Sequence, residues 1–237
     1  MDSNTERLLS KYWAQTFPDN DVSISMFNYL VKCYSQDHRF YHTGEHIYDM
    51  LYEIELEFSY NSRKVEYADE DAIMAAAFYH DIVYAPRAEP FQNERASANV
   101  AYAQIVAMGC TEGFAISVSD LVMVTAGHEA KNPDEGVLID ADLGILSEAH
   151  HVYQRYVKNL RKEYSFANDE QWHDGRSKFL EGMIARDRIY YDGTVWWQEE
   201  QAIENMTFEL NALKEGAIVD TSDEEDTPTV IISSLLS

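Results

Sequence analysis

Proline and glycine are scarce in this chain, five and ten residues in 237, and cysteine is scarcer still, at two. Many-stranded folds need frequent tight turns, and those turns draw on glycine and proline. Their shortage argues against a barrel or a sandwich. Cys33 and Cys110 lie far apart and form no CxxC pair. That excludes a disulfide framework and a Cys-ligated zinc as organising devices, and a reducing compartment fits best. Positive charge is also short: 18 Lys and Arg stand against 42 Asp and Glu, a formal charge of -24. Such a chain repels nucleic acid and anionic membrane, so neither is expected as a partner. No apolar run of about 18 residues occurs, and no membrane span is expected. The first residues lack a basic stretch followed by an apolar one, so no secretory signal is expected either. The expected location is cytoplasmic.

What is abundant is apolar residues at helical spacing. Ile47, Met50, Leu51, Ile54 and Phe58 follow the i, i+3, i+4, i+7, i+11 pattern, and Val152, Tyr156 and Leu160 repeat it. The periodicity predicts an all-α fold, with helices near 4–16, 22–37, 43–58, 67–82, 93–108, 111–126, 139–147, 149–165, 168–186 and 195–214. Asn4 or Thr5 is expected to cap the first helix. Loops are expected at Pro18–Asp21, Ala85–Gln92 and His128–Gly136, where the prolines sit. Residues 1–214 read as one helical domain. Residues 215–237 read as an acidic, disordered tail, with a short apolar end as a candidate docking strand or helix.

Three segments carry residues suited to chemistry. His42 and His46 are four apart at the opening of a helix, so both can share one face. Ala75, Ala76 and Ala77 make a slim helix that ends in the adjacent pair His80-Asp81. Asp140 and Asp142 interrupt the apolar run from Gly136 to Leu146, where a carboxylate is costly unless it is paired or binds a metal. Imidazole and carboxylate together suit borderline divalent ions.

The order of these pieces, His, then His-Asp, then Asp, in an all-α chain resembles the HD superfamily of metal-dependent phosphohydrolases. The segments Arg39-x-Tyr41-His42-x3-His46, Phe78-x-His80-Asp81-Ile82-Val83-Tyr84, Asn93-Glu94-x-x-Ser97-Ala98 and Asp140-Ala141-Asp142-Leu143-x-Ile145-Leu146 are similar to a bacterial subgroup of that superfamily. Thr125-x-x-His128, Arg161-x-Glu163-Tyr164 and Gly175-Arg176 extend the resemblance, which covers about residues 7–214. Thr43 stands where the subgroup's asparagine is expected.

The resemblance implies an HD-domain helical bundle holding a divalent metal ion: Mn, Fe, Co, Ni, Zn or Mg. The implied ligands are His46, His80, Asp81 and one of Asp140 or Asp142, with Asp142 favoured by the family's alanine-aspartate pattern. The implied activity is hydrolysis of a small anionic phosphorylated compound, plausibly a nucleotide, by a metal-activated water. Asp81 would orient that water. Glu94, which opens the helix after the His80-Asp81 loop, and His128, before a loop, are the candidates for proton transfer. Arg39 and Arg161 are the candidate substrate-binding cations. Two other readings remain open: a mixed-valent di-iron oxygenase on the same scaffold, and a ligand-binding HD domain without turnover.

Overall fold

The computed structural model describes residues 1–61, 66–191, 196–221 and 230–231. It is all-α, as the periodicity predicts. Ten α-helices lie among the described residues: α1 (Ser3–Thr16), α2 (Asp21–Cys33), α3 (Gly44–Asn61), α4 (Glu70–Tyr79), α5 (Gln92–Ala107), α6 (Glu112–Val124), α7 (Pro133–Asp142), α8 (His150–Glu163), α9 (Asp169–Ile184) and α10 (Trp196–Lys214). A 3-10 turn, Gly144–Ser147, follows α7. The chain divides into two compact units, Met1–Asp142 and Leu143–Ser237. No described helix is long and apolar enough to cross a membrane.

In the first unit α4 is the central element, packing against α1, α3, α5, α6 and α7. Its residues from Ala72 to Tyr79, apart from Met74, are buried. A helix that is apolar all round belongs in a core, and the alanines let five neighbours approach it. Trp13 of α1 organises the aromatic side of this core. Its ring lies 5.2 Å from Phe78 and 5.5 Å from Phe27, and its indole N–H donates to Ser23 Oγ at 2.9 Å.

Several boundaries differ from expectation by a few residues, and three of the differences have a visible cause. The cap of α1 is Asp2, whose carboxylate accepts from the backbone N–H of Asn4 and Thr5. A charged N-cap beats the two neutral candidates by adding attraction to the helix dipole. Helix α2 stops at Cys33 rather than near residue 37, because Ser35 turns back on Val31 and Lys32. Helix α7 begins at Pro133, inside the expected loop. Asn132 Oδ1 accepts from Glu135 N–H at 3.0 Å, and the Glu135 carboxylate receives the Asn132 side chain and the Lys131 N–H. Proline at the first helical position gives up only a donor that has no partner there anyway. The Asn-Pro pair is thus a helix start and not a break.

In the second unit α10 packs against α9 and the 3-10 turn. Arg176 of α9 is buried and donates twice to Glu209 of α10, at 2.8 and 2.9 Å, while Tyr153 donates to the same carboxylate. Ile218–Val219 pairs antiparallel with Val230–Ile231, in the register Ile218 to Ile231. The rest of the expected tail, residues 222–229 and 232–237, lies outside the described residues.

The slimness of α4 is testable. Ala76 has no exposed surface and its carbonyl accepts the His80 N–H at 2.9 Å. Ala76→Leu should lower stability by about 1–3 kcal/mol through overpacking, read from the denaturant midpoint. An unchanged midpoint would show that the neighbours do not close on this helix.

Candidate metal centre

The turn before α3 and the end of α4 meet in the first unit. His46 is in the first turn of α3; His42 lies in the turn before it, off the helix where the spacing argument placed it. His80 caps the C-terminus of α4, and Asp81 follows beyond the regular helix. Leaving the helix is what lets two adjacent residues converge, since inside a helix they diverge by about 100°. Asp142 is the last residue of α7.

Four side chains come together here. His46 Nε2 lies 3.3 Å from His80 Nε2 and 3.2 Å from Asp142 Oδ1. His80 Nε2 lies 3.6 Å from Asp142 Oδ1 and 3.3 Å from Asp81 Oδ2. His46 and His80 are buried, with side-chain exposures of 4% and 2%. Ligand bonds of about 2.1 Å set at right angles or tetrahedrally put neighbouring donors about 3.0–3.4 Å apart. Three of the four observed edges fall in that range, and the His80–Asp142 edge at 3.6 Å is slightly longer. His46, His80 and Asp142 therefore form a buried group that could hold a metal ion.

The ring orientations suit the same purpose. His80 Nδ1 lies 3.0 Å from the Ala77 carbonyl, which only accepts, so the hydrogen sits on Nδ1 and Nε2 faces the cluster. His46 Nδ1 lies 3.2 Å from the Tyr41 hydroxyl, again leaving Nε2 for the cluster. Partners of this kind fix ring and tautomer at metal sites.

The electrostatics favour positive charge within this group. Burial works against the charge on Asp142, yet hydrogen bonds from His128 and His46 hold its pKa well below the usual carboxylate range. Asp81 is held down likewise, against burial, by His80 and His42. Burial pulls the His46 pKa below its ordinary value. Burial pulls on His80 too, but Asp81 and Asp142 overcome it and raise its pKa to about 9. Two carboxylates so enclosed keep a proton on His80. A divalent ion held by His46, His80 and Asp142, with Asp81 beside it, would answer the same charge.

Two histidines flank the group. His128 Nε2 lies 3.2 Å from Asp142 Oδ2, the oxygen turned away from His46 and His80. Its backbone is left-handed at φ 48°, an uncommon state for a non-glycine residue that often marks a functional position. His42 Nε2 lies 3.7 Å from Asp81 Oδ2, and its ring packs 4.2 Å from that of Tyr84. The sequence offered a signal for His42, its proximity to His46, but not its partner.

The remaining expected residues are placed as follows. Asp140 is two positions before Asp142 on α7, about 200° around the helix, and is not in the three-residue group. Glu94 sits in the first turn of α5; its Oε2 is buried and has no hydrogen-bond partner among the described residues. Neighbouring Asn93 and Ser97 accept the N–H groups of Ala85 and Val83, tying α5 to the loop after Asp81. The two arginines both donate to the backbone. Arg39 donates to the carbonyls of His42, Asp81 and Ile82. Arg161, in the second unit, donates to the carbonyls of Tyr164 and Ala167 and to Asp169. Both guanidiniums brace chain turns through these carbonyls.

Comparison with protein-family models, with curated proteins and with solved structures finds no match to this chain.

Two outcomes follow from the geometry. Asp142→Ala should lose bound Mn²⁺ or Co²⁺ on dialysis while Asp140→Ala keeps it, as measured by elemental analysis; the reverse ranking would exchange their roles. Metal must displace the His80 proton, so affinity should rise with pH up to about 9 and level off above it. Calorimetry in buffers of different ionisation enthalpy should show about one proton released per ion at pH 7. No proton release would contradict the assignment of His80 as a ligand.

Proposed function

We propose that this chain is a metal-dependent hydrolase of a small phosphorylated compound, of the HD type its motifs resemble. The observation that carries the reading is the convergence of His46, His80 and Asp142, with Asp81 against His80, at spacings suited to one ion. A divalent ion bound there supplies a water of lowered pKa and a positive charge for a phosphoryl oxygen.

The chain's own groups then divide the work. His46 and His80 hold their Nε2 atoms toward the ion because Tyr41 and Ala77 engage their Nδ1 atoms. Asp81 is ionised and 16% exposed, which suits a carboxylate that accepts a hydrogen bond from the attacking water. His128 is 29% exposed and bonded to Asp142, so its imidazole can reach solvent and hand a proton to a leaving oxygen. Glu94 is the second proton-transfer candidate, with a buried oxygen that has no hydrogen-bond partner among the described residues. Arg39 and Arg161 donate to backbone carbonyls, and His42 and His128 stand beside the carboxylates of the group as further side chains within reach of a substrate. A screen for phosphate release from nucleotides and sugar phosphates, with Mn²⁺, Co²⁺, Ni²⁺ and Mg²⁺, tests the reading. Release from none of them by metal-loaded protein would overturn it.

One observation favours a second reading, a two-ion centre for oxygen chemistry. Asp142 turns Oδ1 to His46 and His80 and Oδ2 to His128, the arrangement a bridging carboxylate needs. One variant separates the two. For the hydrolase, His128→Ala should lower the rate by about a hundredfold to ten-thousandfold while metal content stays at one ion per chain. For the two-ion centre, the same change should remove one of two ions and abolish oxygen consumption.

A further inference from the structure

Arg39 is buried, yet among the described residues its guanidinium meets no carboxylate. A buried charge needs strong partners, and those it has are unusual in where they come from. Nη1 donates to the carbonyl of His42 at 3.1 Å and to that of Asp81 at 2.8 Å. Nη2 donates to the carbonyl of Ile82 at 3.1 Å, and Nε to the Gln36 side chain at 3.2 Å. The rings of Tyr34 and Tyr84 lie 4.8 and 5.4 Å from the guanidinium carbon, within cation–π range. Tyr34 itself donates to the Phe78 carbonyl at 3.0 Å.

These acceptors belong to two segments that are some forty residues apart in sequence. One is the turn that leads into His46. The other is the exit from α4, which carries His80 and Asp81. Carbonyls past a helix C-terminus hold partial negative charge, and a cation is well placed there. The planar fork of arginine reaches three carbonyls in fixed directions, which a lysine ammonium does not reproduce. His38 adds a second tie between the same segments, through its Nε2 at 2.9 Å from the Tyr84 carbonyl.

We propose that Arg39 is a positioning residue of the metal centre: it locks the His42–His46 turn to the His80-Asp81 turn and so sets the spacing of the ligands. This rests on the metal-centre reading. Arg39 acts through the backbone of the turns that carry the candidate ligands. Residues that orient metal ligands from outside typically change affinity by about 10–100-fold when removed.

The test uses the full chain with Co²⁺ as the probe, following affinity by titration and ligand geometry by visible absorption. Arg39→Ala should remain folded, bind Co²⁺ about 10–100-fold more weakly and show an altered spectrum. Methylguanidinium should restore part of both signals in Arg39→Ala and change neither in the native chain. Arg39→Lys keeps the charge without the fork and should also bind weakly. Either variant folded, with native affinity and spectrum, would overturn the proposal. If Arg39→Ala does not fold, Arg39→Lys decides by the same criterion. Failure of both to fold would also count against it, by making Arg39 a residue of the fold. A native chain that binds no Co²⁺ defeats the metal centre itself; native binding matched by the variants defeats only the role of Arg39.

Discussion

Two carboxylates enclosed beside imidazoles in one largely dry place need a positive charge between them. Asp81 and Asp142 both stay ionised there, and His80 holds a proton to about pH 9 in answer. Leaving such charges unbalanced in a protein interior is costly. Much of the first unit reads as the means of keeping them together. The alanines of α4 let α3 and α7 come close. The helix ends where His80 and Asp81 are required, and α7 ends on Asp142. Hydrogen bonds of their Nδ1 atoms with the Ala77 carbonyl and the Tyr41 hydroxyl turn the two rings so that their Nε2 atoms face a common point.

That arrangement also explains where the chain's few cations go. With a formal charge of -24, an arginine near the site would be the obvious anchor for an anionic ligand. Arg39 is near, but its donors hold the backbone of the two ligand-bearing turns. A guanidinium serving carbonyls gives geometry; one serving a phosphate gives affinity.

Much of this was legible in the sequence. The apolar spacing from Ile47 to Phe58 marks α3, and the clustered alanines mark the buried helix α4. The pairing of His46 with His80 and Asp142 followed from the order of motifs, an associative signal and not a physical one. What escaped was set by contacts that spacing does not encode. Asn132-Pro133 looks like a break until Glu135 is seen to close a cap with Asn132. His42 and His46 suggest a shared helical face, but the helix begins only at Gly44. Arg39 stands beside charged neighbours in the sequence, and only the fold brings the Asp81 and Ile82 carbonyls to it. Arg161 belongs to a run of basic residues, yet it closes the end of its own helix.

The most direct test of the metal centre is anomalous diffraction from crystals of the full chain soaked in Mn²⁺ or Co²⁺. The account predicts a peak at bonding distance, about 2.0–2.2 Å, from His46 Nε2, His80 Nε2 and Asp142 Oδ1, with Asp81 adjacent. Ions bound elsewhere on the acidic surface, with this group left without a peak, would contradict it.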